Sequence, residues 1–223
     1  MSRCNDKTYA GVLGGVGIWT PDDLTSCVIS VEGHVWTVSV NNSMIYTLVY
    51  KSSDGWSVKV YDSDYWLIRS WKHSRRCNGI NQLVVRKDSV FVPDGDSSII
   101  IQYSFTGEVE RRIPCLTLKC THTRLSVRSS PCDAVIVSCS DTVCCIDMST
   151  GDCVWSTDSM EEPTAVCCDN ADRVYVAVGG YSDTIQITVL DGDTGKAMLH
   201  NYHLPVTAFN FFLEARSFHI SYN

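Results

Sequence analysis

The run Val189-Leu190-Asp191-Gly192-Asp193-Thr194-Gly195 is a short apolar stretch that ends in a tight turn, and four earlier stretches have the same form. The apolar residues at which the five stretches align are Trp19, Tyr61, Tyr103, Ile146 and Leu190. Their spacings are 42, 42, 43 and 44 residues, and no convincing helical stretch separates them. A near-constant period of this size predicts a repeated four-stranded sheet, the blade of an all-β propeller.

Alternating apolar residues and turn residues divide each period into four predicted strands. The complete units lie near residues 34–74, 75–117, 118–160 and 161–204. Residues 12–31 are expected to supply only the last two strands of a unit, and residues 206–220 only the first two. Pairing of these halves would complete a fifth blade and close the ring, which removes exposed sheet edges. We therefore expect one domain, 1–223, of about five blades, with a piece of a larger propeller as the alternative.

The composition argues against several classes of function. The chain has 223 residues, of which 44% are hydrophobic, and a formal net charge of -7. An acidic balance lacks the basic surface that binding to a nucleic-acid backbone needs. No stretch approaches the roughly 18 apolar residues of a membrane helix. We therefore expect a globular monomer without nucleic-acid or membrane partners.

The cysteines favour a reducing compartment. There are twelve, two pairs of them adjacent in sequence, and no Cys-x-x-Cys motif. Free cysteine is among the most buried residue types, so we interpret these residues as small apolar core residues. We expect a cytoplasmic or nuclear protein. Cys115, Cys120, His122 and Cys132 have ligand chemistry suited to zinc, but their spacing matches no recognised zinc motif, and we predict no metal site.

One segment resembles a known repeat family. Gly33-His34 precedes the apolar run 35–40, Asp54 lies in a turn, and Val58-Lys59-Val60-Tyr61-Asp62 ends the third strand. This arrangement resembles a degenerate WD repeat, with Tyr61 where the family has tryptophan. The resemblance implies a buried hydrogen-bonded network of His34, Thr47, Asp54 and Tyr61. The Asp-x-x-Thr-Gly turns at 147–151 and 191–195 are equally similar to quinoprotein-like repeats, a neighbouring family.

Enzymatic chemistry lacks the residues that it needs. The predicted innermost strands are almost free of carboxylates, which the acid pair of a propeller glycosidase would require. The glycines at 11–17 lack the lysine and hydroxyl residue of a phosphate-binding loop. We therefore predict no catalytic residues and no cofactor.

Recognition residues of a propeller concentrate in the loops at one face, before the innermost strand and between the second and third strands. The candidates there are Trp56, Arg75, Arg76, Asp94, Asp96, His122, Arg124, Tyr181 and Asp183. Mixed charge with two aromatic anchors, Trp56 and Tyr181, favours a peptide or protein ligand. The prediction is a non-catalytic scaffold for a protein partner. The alternatives are a sugar-binding propeller and a fragment of a larger propeller that is inactive alone.

Overall fold

The computed structural model describes residues 2–4, 7–12, 14–20, 23–73, 80–94, 97–115, 122–128, 133–139, 141–157, 160, 163–169, 171–178 and 184–205. Within these ranges every regular element is a β-strand, and the strands form five mainly antiparallel sheets. We call the first sheet the N-terminal blade and the others blades 1 to 4.

The sheets follow one another along the chain. The N-terminal blade contains β1 (Ser2–Cys4), β2 (Lys7–Val12), β3 (Gly15–Thr20) and β4 (Asp23–Ser30). Blade 1 contains β5 (His34–Asn41), β6 (Met44–Lys51), β7 (Gly55–Tyr61) and β8 (Leu67–Lys72). A two-residue strand, β9 (Ile80–Asn81), precedes blade 2, which contains β10 (Val84–Arg86), β11 (Ser89–Asp94), β12 (Ile99–Ser104) and β13 (Val109–Pro114).

Blades 3 and 4 repeat this scheme. Blade 3 contains β14 (His122–Arg128), β15 (Ala134–Cys139), β16 (Thr142–Asp147) and β17 (Cys153–Ser156). Blade 4 contains β18 (Pro163–Cys168), β19 (Arg173–Val178), β20 (Thr184–Asp191) and β21 (Ala197–Pro205). The expected all-β architecture of five four-stranded blades is confirmed. Closure of the ring stays a prediction, because residues 206–220 lie outside the described part of the chain.

The N-terminal blade corrects one expectation. Residues 12–31 were expected to give only two strands of a shared blade, but the strands from Ser2 to Ser30 form a four-stranded sheet by themselves, in the order β1-β2-β3-β4. The register pairs Tyr9 with Ile18 and Gly17 with Val28. The N-terminal blade therefore has four strands without any contribution from residues 206–220.

Apolar clusters between neighbouring blades form the core. One cluster joins Trp56, Val58 and Val60 of blade 1 to Val90 and Val92 of blade 2. Equivalent clusters lie between blades 2 and 3, between blades 3 and 4, and between the N-terminal blade and blade 1. The alternation of the strands explains this, because successive side chains point to opposite faces, and both faces of blades 1, 2 and 3 meet a neighbouring blade.

The turns between third and fourth strands hold neighbouring blades together. Gly195 has φ of +66°, and a Cβ atom at this position would lie 2.6 Å from Cδ2 of Trp155 in the preceding blade. Gly107 has the same relation to Trp71, with Cδ2 at 2.7 Å. In these two turns the glycine therefore leaves room for an indole ring of the blade before it.

Two of these turns are closed by aspartate side chains. Oδ1 of Asp147 accepts hydrogen bonds from the backbone N–H groups of Ser149 (2.6 Å) and Thr150 (3.0 Å). Oδ1 of Asp191 accepts from the backbone N–H of Thr194 at 2.9 Å and from its hydroxyl at 2.8 Å. These hydrogen bonds, led by those from the hydroxyls of Ser149 and Thr194, lower the pKa of both carboxyls.

The lowered pKa values predict an acid-labile contribution to stability. A carboxyl whose pKa is lower in the folded state stabilises the fold above its unfolded pKa of about 3.9, and this stabilisation is lost as the pH falls through the folded pKa. Between pH 5 and pH 3, the Tm should therefore fall more steeply in the wild type than in an Asp147→Asn/Asp191→Asn double variant. Thermal unfolding across this range measures the slopes, with Asp64→Asn as the control. Equal slopes in all three proteins would contradict the prediction.

Candidate functional site

Strand pairing places the described recognition loops of blade 1 at one end of its sheet. In blade 1, His34 pairs with Tyr50, Tyr50 with Trp56, and Ser57 with Lys72, so these residues share one end of the sheet. Strand β9 pairs in parallel with β14, His122 opposite Ile80, which shows that the inner segments of blades 2 and 3 run in the same direction. We call the resulting surface the loop face, and its far side the opposite face.

The blade 1 part of the loop face is an exposed cluster of charges. Nζ of Lys51 lies 2.5 Å from a carboxylate oxygen of Glu32 and 3.3 Å from one of Asp54. The hydrogen bond to Glu32 raises the pKa of Lys51, and the hydrogen bond from Lys51 lowers the pKa of Asp54. All three groups face solvent, so the cluster is a charged rim that adds little to stability.

The hydrogen-bonded network that the WD resemblance implied in blade 1 is absent from the described residues there. His34 is exposed, Asp54 pairs with Lys51, and the buried Thr47 hydroxyl donates to the Lys59 carbonyl at 3.3 Å. Tyr61 is buried in the cluster between the N-terminal blade and blade 1. The prediction of this network is therefore wrong.

A buried histidine–tyrosine pair lies between the end of blade 1 and blade 2 instead. His73, which is 5% exposed, has Nδ1 at 2.8 Å from the Tyr103 hydroxyl and Nε2 at 3.2 Å from the Pro93 carbonyl. Its backbone N–H donates to the Trp56 carbonyl of blade 1 at 2.9 Å. Burial lowers the pKa of His73, so the ring is neutral near pH 7. The neutral ring donates from Nε2 to Pro93 and accepts from Tyr103 at Nδ1.

Trp56 is not an exposed anchor. Its side chain is 4% exposed and belongs to the core between blades 1 and 2. Its ring centroid lies 5.6 Å from that of Trp36 and 5.1 Å from that of Tyr50, both of which are only partly buried. The expectation that Trp56 contacts a partner directly is therefore corrected, since Trp36 and Tyr50 lie nearer to solvent.

Two other predicted site residues are described. Asp94 ends β11 and is 5% exposed. Arg124 is half-buried in β14, and its Nε donates to the Thr164 carbonyl of blade 4 at 3.2 Å. Asp94 is thus part of the blade 2 end of the loop face, and Arg124 links blades 3 and 4.

The remaining predicted binding residues are not placed. Arg75, Arg76, Asp96, Tyr181 and Asp183 lie outside the described residues, as does the side chain of His122. Their roles stay predictions.

The opposite face carries an arginine arrangement that sequence reasoning missed. Arg86 and Arg128 each end an innermost strand, and each forms an ion pair with the aspartate before the second strand of the next blade, Asp133 and Asp172. Arg128 also binds Asp193 and the Gly192 carbonyl. The two arginines are 42 residues apart, which is the repeat period. A comparison of equivalent positions in successive repeats would therefore have found them.

The described thiols give no indication of a reactive site. Cys153, Cys167 and Cys168 are in no disulfide, and burial raises the pKa of Cys168 to about 11, which leaves it protonated at neutral pH. Cys139 is disulfide-bonded, so the expectation of reduced thiols throughout is wrong for this residue. Among the described side chains, no group of three or more histidine, cysteine or acidic residues is placed to hold a metal ion.

Comparisons with known proteins identify the fold. No protein-family model and no curated protein matches the sequence. The Pan2 WD40 domain of Neurospora crassa superimposes with a TM-score of 0.60 at 11% identity, over 76% of this chain and 50% of that one. A chain of a mitotic checkpoint complex gives 0.64 at 12% identity, over 90% of this chain and 61% of that one.

A protein of unknown function from Bacteroides caccae gives a TM-score of 0.64 at 10% identity, over 89% of this chain and 78% of that one. The chain spans about half the length of the Pan2 structure and about three fifths of the checkpoint chain. Nowhere in the described ranges is there a helix long and apolar enough to cross a membrane. Five four-stranded blades and these likenesses together show that the chain has a degenerate WD40-like β-propeller fold.

Proposed function

We propose that this chain is a non-catalytic scaffold that binds a segment of another protein on its loop face. The observation that carries the proposal is the loop-face rim, where exposed charges of both signs lie above a rigid core between blades. Glu32, Asp54 and Lys72 are exposed there. Loops held by a rigid scaffold are where binding residues concentrate, and mixed charge fits a polypeptide better than a uniform anion.

The fold neighbours give general support. One of them belongs to a mitotic checkpoint complex, so that protein acts within an assembly. A comparable role for this chain is our proposal, since the likeness extends to the fold only. The chain is shorter than two of these neighbours. An inactive fragment of a larger propeller therefore remains the alternative, and the test below would show it as a failure to capture any partner.

Sugar binding is the weaker candidate. It needs exposed aromatic rings in equivalent loops of the blades, and Trp56 and Tyr181 are the two aromatic residues predicted in those loops. Trp56 is buried in the core between blades 1 and 2, so it cannot stack on a sugar ring without unfolding that junction.

Matched variants on the two faces test the proposal. Ser52→Arg/Lys72→Glu alters exposed residues of the loop face, and Ser63→Arg/Lys196→Glu makes the same changes in exposed residues of the opposite face. Proteins captured by the full chain from lysate are identified by mass spectrometry, and their affinity for both variants is then measured. We expect a loss of at least tenfold for the loop-face variant and less than twofold for the control. Equal affinities, a larger loss on the opposite face, or no specific capture would contradict the proposal.

A further inference from the structure

Asp94 has a carboxylate oxygen without a partner. Its side chain is 5% exposed, and Oδ2 accepts a hydrogen bond from the Ser97 hydroxyl at 2.9 Å. Oδ1 is buried and makes no hydrogen bond. Leaving a carboxylate oxygen buried and unpaired is costly, and native proteins usually satisfy such groups. An oxygen of this kind indicates a donor that the described part of the chain does not supply.

The position of Asp94 places this oxygen at the junction of blades 1 and 2. On β11, alternation puts Asp94 on the same face as Val90 and Val92, which pack against Trp56 of blade 1. Ile99, the partner of Asp94 across the sheet, packs against the same cluster. The partly buried rings of Trp36 and Tyr50 also pack there. Asp94 thus lies at the loop-face end of the aromatic cluster between blades 1 and 2.

None of the described basic groups donates a hydrogen bond to Oδ1 of Asp94. Asp94 acts on His73 electrostatically, but burial lowers the pKa of His73, and its two ring nitrogens are occupied by the Tyr103 hydroxyl and the Pro93 carbonyl. Lys72, the next residue, acts electrostatically on Asp54 in blade 1. The junction therefore combines an unpaired carboxylate oxygen with aromatic rings and a neutral histidine.

We propose that Asp94 binds the guanidinium group of one arginine side chain of the partner protein. The inference rests on the proposed function and names the chemistry that the loop face recognises there. A guanidinium is planar and weakly hydrated, and it stacks on aromatic rings while donating to a carboxylate. A lysine ammonium is a compact, strongly hydrated charge, so it loses more hydration at a largely buried oxygen.

Three short peptides test this inference on the full chain. They are acetyl-Gly-Arg-Gly-amide, its lysine counterpart, and the citrulline counterpart, which keeps the shape of arginine without the charge. Binding is measured by calorimetry and by the fluorescence of the tryptophans at the junction. We expect the arginine peptide to bind at least tenfold more tightly than the other two. Equal affinity for arginine and citrulline, or tighter binding of lysine, would overturn the inference without any variant.

The variant Asp94→Asn supplies the second measurement. Its control is Asp88→Asn, because Asp88 is exposed on the opposite face of the same blade. We expect Asp94→Asn to weaken binding of the arginine peptide at least tenfold with no loss in Tm, because the asparagine side chain has the same shape and its amide oxygen can still accept from the Ser97 hydroxyl. Undiminished binding would overturn the inference. If Asp94→Asn keeps full affinity for the captured partner while Ser52→Arg/Lys72→Glu loses it, the arginine inference fails and the scaffold proposal stands.

Discussion

Replacing Gly195 with alanine is expected to lower the free energy of unfolding by about 3 kcal/mol. Two costs add. The backbone at Gly195 has φ of +66°, where a Cβ atom costs about 1–2 kcal/mol. The new methyl group would also overlap the Trp155 ring, and overpacking of this kind costs about 1–3 kcal/mol. The ring has little freedom to move, because it is 8% exposed and its Nε1 donates to the Gly192 carbonyl at 2.8 Å.

Gly14→Ala is the matched control. Gly14 has φ of +78°, but a Cβ atom there would have no neighbour within 4 Å. Its cost should therefore be the backbone part alone, about 1–2 kcal/mol. Urea unfolding followed by tryptophan fluorescence measures both variants, and the difference isolates the packing of the turn under the indole ring. A Gly195→Ala protein no less stable than Gly14→Ala would show that the two blades are not joined in this way.

The repeat period was sufficient to predict the architecture. The five aligned residues, Trp19, Tyr61, Tyr103, Ile146 and Leu190, all lie in the third strand of their blades. The period could be recognised because the third strands of blades 3 and 4 lead to turns of the same chemistry, as the Asp147 and Asp191 hydrogen bonds show. Local chemistry that recurs between blades was therefore visible in the sequence.

The N-terminal blade was harder to predict because its pattern is weak. Strand β1 has three residues, and β2 and β3 contain glycines that contribute no side chain to the alternation, such as Gly11 and Gly17. Pairing with neighbouring strands determines these elements, and a single sequence does not display that pairing.

The errors at the candidate site arise from contacts between blades. His34 follows Gly33 as in a WD repeat, yet of the histidine side chains that the structure describes it is His73 that is buried, and its ring contacts the Tyr103 hydroxyl of blade 2. Trp56 follows a turn, which suggested exposure, but its alternation with Val58 and Val60 turns it toward blade 2. Asp94 was found as a loop-face residue, whereas its buried unpaired oxygen depends on packing that the sequence does not show.

Arg128→Met is expected to have the second large effect, a loss of about 2–4 kcal/mol. The Arg128 side chain is 1% exposed and binds Asp172, Asp193 and the Gly192 carbonyl, so three groups of blade 4 depend on it. Removing one member of a buried ion pair costs about 3–5 kcal/mol. The expected loss is smaller because the Asp193 side chain is 63% exposed and regains water when the arginine is absent.

Two substitutions separate burial of the charge from the loss of a long side chain. Arg112 is exposed on β13, so Arg112→Met should change stability by less than about 0.5 kcal/mol. Arg128→Lys keeps the charge but loses the planar group that reaches all three partners, so its stability should lie between those of the wild type and Arg128→Met. Urea unfolding measures all three. Equal free energies of unfolding for Arg128→Met and Arg112→Met would contradict the prediction. Blades 3 and 4 would then be held together by the cluster around Trp155 and not by the ion pairs of Arg128.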